Sequence, residues 1–80
     1  AAQLKERGNA LFAKKDYRAA VAKYTAAIAL DSQNAVLYAN RAACYLGLKS
    51  YELSAADAMK ATELDPGYSK AWARLSSAQE

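Results

Sequence analysis

Five side chains in this 80-residue chain combine hydrogen-bond donors with helical spacing: Lys5, Asn9, Asn40, Lys70 and Arg74. Lys5 and Asn9 are four residues apart, as are Lys70 and Arg74, which places each pair on one face of a helix. Lysine and arginine donate hydrogen bonds and never accept them, and each asparagine amide adds two donors. Such a set suits carboxylates, which take charge-assisted hydrogen bonds. The formal charge of +3, from 11 basic and 8 acidic residues, agrees with an acidic partner. It is too small a surplus to imply nucleic acid.

Composition argues against other chemistry. The chain has no histidine. It therefore lacks the commonest general base, the Ser-His and Cys-His pairs, and most transition-metal sites. A single cysteine, Cys44, excludes an intramolecular disulfide and a multi-cysteine zinc site, and it is expected as a buried small hydrophobe. Three separated glycines make no phosphate-cradling loop. Glu52, Asp57 and Glu63 are spread along an expected outward helix and do not form a general acid/base pair. The reading is of a protein that is not an enzyme and takes no metal or cofactor. No apolar run of about 18 residues reads as a membrane span. No basic segment precedes an apolar stretch as in a secretory signal, and a cytoplasmic location is expected.

The elements that must position the five donors follow from a repeat. Shifting the chain by 34 residues gives nine identities, among them Arg7/Arg41, Tyr17/Tyr51, Ala27/Ala61 and Asp31/Asp65. Size classes repeat as well. Leu4, Tyr38 and Trp72 are large, while Gly8, Ala42 and Ser76 are small. This alternation explains the composition. The chain is 54% hydrophobic, but 21 of those residues are alanine, the small half of a large/small packing code between close helices.

Apolar spacing predicts a first helix through Leu4, Gly8 and Leu11, and a second through Val21, Tyr24, Ala27 and Ile28. Asp16 is the expected N-cap of the second helix and Asn34 of the third. Ser50 is a candidate cap for a fourth helix over about Tyr51 to Leu64, which Asp65-Pro66-Gly67 should stop. Ser69 could cap a fifth. The fold class is all-α: antiparallel helix-turn-helix repeats, about five helices in all. Repeat one is 1–34, repeat two is 35–68, and 69–80 would be the first helix of a third.

A 34-residue unit with large residues at positions 4 and 11, small ones at 8, 20 and 27, and Pro66 at position 32 resembles the tetratricopeptide repeat. Ser32 and Ala58 depart from the pattern at positions 32 and 24. The resemblance implies a curved array whose concave side is lined by the first helix of each repeat. Lys5, Asn9, Asn40, Lys70 and Arg74 would then converge on one groove. That set is similar to the two-carboxylate clamp of co-chaperone tetratricopeptide domains. Their known ligand is the C-terminal Glu-Glu-Val-Asp tail of the 70-kDa and 90-kDa heat-shock chaperones. On this resemblance Lys5, Asn9 and Asn40 would hold the terminal carboxylate, and Lys70 and Arg74 the Asp side chain. The stretches GNALF, NAVLYANRAACY and DPGYSKAWARL look most like the small glutamine-rich tetratricopeptide co-chaperones.

Phe12, Ala43, Leu46 and Gly47 are candidates for the upstream groove, where they would favour an apolar side chain. For Phe12 and Leu46, helix packing is an equal reading. The third repeat lacks its second helix, so the chain reads as a fragment of a larger protein. The apolar face bearing Trp72 and Leu75 could then self-associate. Alternatives to the chaperone adaptor are a scaffold for another partner, or a regulatory module of a phosphatase, prolyl isomerase or ubiquitin ligase. No nucleic acid or membrane partner is expected.

Overall fold

Four α-helices span Ala2–Ala13 (α1), Tyr17–Leu30 (α2), Ala35–Gly47 (α3) and Tyr51–Leu64 (α4) in the computed structural model, which describes residues 2–69, 71–73 and 75. Residues 69, 71–73 and 75 are helical as well, and the described residues contain no strand. Successive helices pack on one another, and α1 also touches α3.

Local chemistry ends each helix. The Asp16 side chain accepts from the Ala19 N–H at 3.5 Å, and Asn34 accepts from the Val36 N–H at 3.0 Å. These are the expected N-caps, each satisfying a donor that the first turn leaves open. Ser50 occupies the N-cap position of α4, but its side chain makes no capping bond. Ser69 already lies inside the next helical segment, so it is not that segment's cap.

The turns after α1 and α3 share one geometry. The Lys15 N–H bonds to Phe12 O at 2.9 Å, and the Asp16 N–H to Leu11 O at 2.9 Å. Lys49 and Ser50 repeat the pattern on Leu46 O and Tyr45 O at 3.0 and 2.9 Å. Both are Schellman closures, which require a left-handed residue at the reversal. Lys15 and Lys49 supply it, with φ of 64° and 62°.

The large/small code is realised in the packing. Ala20, Ala27, Ala42, Ser54 and Ala61 have no exposed surface. Tyr24 lies so close to Gly8 that a Cβ there would sit 2.7 Å from its ring. One cluster holds Tyr24, Ile28, Leu37 and Cys44, with Leu4, Leu11, Phe12 and Tyr17 packed on it. Fully burying a side chain such as Leu37 contributes about 1.5–3 kcal/mol. A second cluster joins Ala35, Ala39, Ala61 and Ala71, so the segment after α4 seats on α3 and α4 through Ala71. Trp72 is half exposed, and its indole N–H donates to Pro66 O at 2.8 Å.

Asp57 corrects the sequence reading. It is 7% exposed and not on an outward face. Arg41 Nε and Nη2 each donate to one of its oxygens at 2.7 Å. A buried carboxylate demands such a partner. The ion pair ties α3 to α4.

Candidate functional site

Three of the five sequence-selected donors lie among the described residues. Lys5 and Asn9 stand one helical turn apart on α1, and Asn40 stands on α3. Lys70 and Arg74 lie outside the described residues. The direct contact of α1 with α3 sets the geometry: Asn40 Nδ2 donates to Asn9 Oδ1 at 3.4 Å. The two amides therefore sit side by side although they are 31 residues apart in sequence. Asn9 is exposed, while Lys5 and Asn40 are half-buried.

A residue that sequence reasoning assigned only to packing reaches this pair. The Tyr24 hydroxyl donates to the same Asn9 Oδ1. Tyr24 is 1% exposed, and burial, helped by the nearby Cys44, pushes its pKa up to about 12. The hydroxyl is thus protonated, a donor, at neutral pH. A signal for it existed in the repeat. Asn9 and Tyr24 occupy repeat positions 9 and 24, and both corresponding residues in the second repeat, Ala43 and Ala58, are alanine.

The upstream groove candidates are placed unequally. Phe12 is half-buried against the first core cluster and meets Tyr17 edge-on at 5.5 Å between ring centroids. Ala43 is 8% exposed and offers little surface. Leu46 is half-buried. Gly47 is exposed on one side, but the space where its Cβ would stand is taken by the Tyr17 ring, 2.6 Å away. Among the described residues no group of three or more His, Cys, Asp or Glu could hold a metal ion. None of the described helices is long and apolar enough to cross a membrane.

Comparison with known proteins agrees with this architecture. A family model described as TPR repeat matches residues 8–49, and one described as Tetratricopeptide repeat matches residues 35–68. The chain belongs to the tetratricopeptide repeat family.

This tetratricopeptide chain is similar to the heat shock protein sti1 homolog of Schizosaccharomyces pombe, at 49% identity over 98% of the chain and 13% of that protein. It is also similar to the small glutamine-rich tetratricopeptide repeat-containing protein 2 of Saccharomyces cerevisiae, at 45% identity over 94% of the chain and 22% of that protein. It therefore spans less than a quarter of either relative. Among solved structures, the second TPR of Spaghetti (RPAP3) bound to the HSP90 peptide SRMEEVD superposes with a TM-score of 0.95. Identity there is 44%, over 98% of this chain and 72% of that one. The second TPR domain of human RPAP3 in complex with the HSP70 peptide SGPTIEEVD gives a TM-score of 0.94 and 44% identity, over 99% of this chain and 66% of that one.

Proposed function

We propose that this tetratricopeptide domain is a non-catalytic, cytoplasmic peptide-binding adaptor. Its ligand is the acidic C-terminal tail, of Glu-Glu-Val-Asp type, of 70-kDa or 90-kDa heat-shock chaperones. The observation that carries the reading is the amide pair Asn9–Asn40, which joins the first helices of two repeats at one point. With Lys5 on the adjoining turn of α1, this corner offers a cation and amide donors to a single carboxylate. Lys70 and Arg74 take the aspartate side chain in this reading. Their assignment rests on spacing and resemblance. The peptides held by the two RPAP3 domains end in the same four residues, which supports a tail of that type.

The test is a titration with the peptide Met-Glu-Glu-Val-Asp carrying a free carboxylate, then with its C-terminal amide. Affinity for the acid is expected on the order of micromolar, because ordering a short peptide offsets much of the gain. Amidation should weaken it about tenfold or more, as charged hydrogen bonds are lost. Lys70→Ala and Arg74→Ala should also weaken it with helicity intact. Equal affinity for acid and amide would overturn the reading.

A further inference from the structure

Asn9 is held by its oxygen. The Tyr24 hydroxyl and Asn40 Nδ2 both donate to Oδ1, which occupies the acceptor sites of that atom. The end of the amide left for a ligand is therefore Nδ2 with its two hydrogens.

The opposite orientation is penalised. With the Asn9 amide turned over, Nδ2 would face two donors, the Tyr24 hydroxyl and Asn40 Nδ2. Asn40 could turn over as well, and the hydroxyl could accept instead of donating. The hydroxyl hydrogen would then lose the Asn9 oxygen that accepts it in a part-buried place, and a buried donor that loses its partner is costly. Tyr24 cannot escape by ionising, because its pKa stands near 12. It cannot swing away easily either, since its ring is wedged against Gly8 and belongs to the first core cluster.

We propose that Tyr24 is a positioning residue that sets the polarity of the site. It holds Asn9 with Nδ2 outward, so that the corner accepts a carboxylate and disfavours a group that itself brings N–H donors, such as a C-terminal carboxamide. This rests on the clamp reading above. The repeat supports it internally. At the same two positions the second repeat has Ala43 and Ala58, so the amide and the hydroxyl that orients it are present together or absent together.

A double-mutant cycle tests the coupling. Tyr24→Phe, Asn9→Ala and the double variant are titrated with the acid and the amide of Met-Glu-Glu-Val-Asp, with circular dichroism to follow folding. Tyr24→Phe keeps the ring and removes the hydroxyl. It should weaken acid binding about three- to tenfold without weakening amide binding, and have no further effect in the Asn9→Ala background. An unchanged acid/amide ratio in Tyr24→Phe, or an equal loss with and without Asn9, overturns the role of Tyr24 while leaving the clamp standing. A wild-type chain that does not distinguish acid from amide overturns both.

A second measurement does not depend on how the variants fold. In the unmodified protein, the Asn9 Nδ2 hydrogens should give at most weak NOEs to the Tyr24 ring, because the oxygen faces the hydroxyl. Strong NOEs there would show the amide turned over and overturn the proposal.

Discussion

Arg41 and Asp57 meet in a two-point pair across the α3–α4 interface, with Nε and Nη2 each 2.7 Å from a different carboxylate oxygen. Arg41 Nη1 also donates to Thr25 Oγ1 at 3.2 Å, and the guanidinium lies 5.7 and 6.0 Å from the Tyr38 and Tyr45 ring centroids. The hydrogen bond to Asp57 is the main reason the Arg41 pKa rises, with burial opposing it. Asp57→Ala would leave a largely buried guanidinium without its carboxylate. We expect a loss of about 3 kcal/mol, read as a lower urea midpoint. An unchanged midpoint would show that the pair contributes nothing.

Gly8 and Gly47 each leave room for a tyrosine ring. A Cβ at Gly8 would stand 2.7 Å from Tyr24, and one at Gly47 would stand 2.6 Å from Tyr17. Overpacking of this kind costs about 1–3 kcal/mol, against a helix-propensity gain of about 1 kcal/mol for alanine over glycine. Gly8→Ala and Gly47→Ala should therefore both lower Tm. If Tyr24 positions Asn9, only Gly8→Ala should also reduce discrimination between acid and amide peptides.

Alkaline pH should destabilise the domain through Tyr24. Its folded pKa of about 12 lies above the ordinary tyrosine value of 10.0. The protonated form is the one the fold favours. The contribution is complete below about pH 10 and is lost as pH rises through about 12, to a total of ~3 kcal/mol. Unfolding followed by circular dichroism between these limits should show this loss. Tyr24→Phe, which has no proton to release, should remove it.

The two left-handed lysines offer a gain in stability. A residue with a Cβ in this conformation carries a cost of about 1–2 kcal/mol, which glycine avoids while paying more conformational entropy on folding. Lys49→Gly should raise stability by about 0.5–1 kcal/mol. Lys49→Val should lower it, because a β-branched residue tolerates positive φ poorly. Thermal melts of the two variants provide the check.

The two N-caps of α3 and α4 should respond differently. Asn34→Ala removes a 3.0 Å bond to the Val36 N–H and should cost about 1 kcal/mol. Ser50 makes no such bond, so Ser50→Ala should cost only a few tenths of a kcal/mol. Equal losses in chemical denaturation would contradict the assignment.

Much of this protein is legible in its sequence because the deciding forces are local. The caps at Asp16 and Asn34 and the stop at Asp65-Pro66-Gly67 depend on neighbours within a few residues, and the 34-residue period is visible by comparing the chain with itself. The large/small alternation predicts which faces meet, since a buried ring needs a glycine, alanine or serine opposite it. The donor set Lys5, Asn9 and Asn40 is legible for the same reason: helical periodicity assigns each residue to a face.

Periodicity does not say which atom meets which across a helix boundary. Asp57 read as an outward carboxylate until packing placed it against Arg41, 16 residues away. Tyr24 read as a core ring, and only the approach of α2 to α1 brings its hydroxyl to Asn9. A helix face spans several side chains, and a rotation of a few tens of degrees decides whether a polar group meets solvent or a partner. That rotation is set by the sum of the packing contacts. The sequence alone determined the helices, the caps at Asp16 and Asn34, and the donors the helices carry, but not a cap at Ser50 or Ser69. The tertiary structure decided the pairing of Arg41 with Asp57 and the direction in which the Asn9 amide points, because both are hydrogen bonds between helices whose register only packing can set.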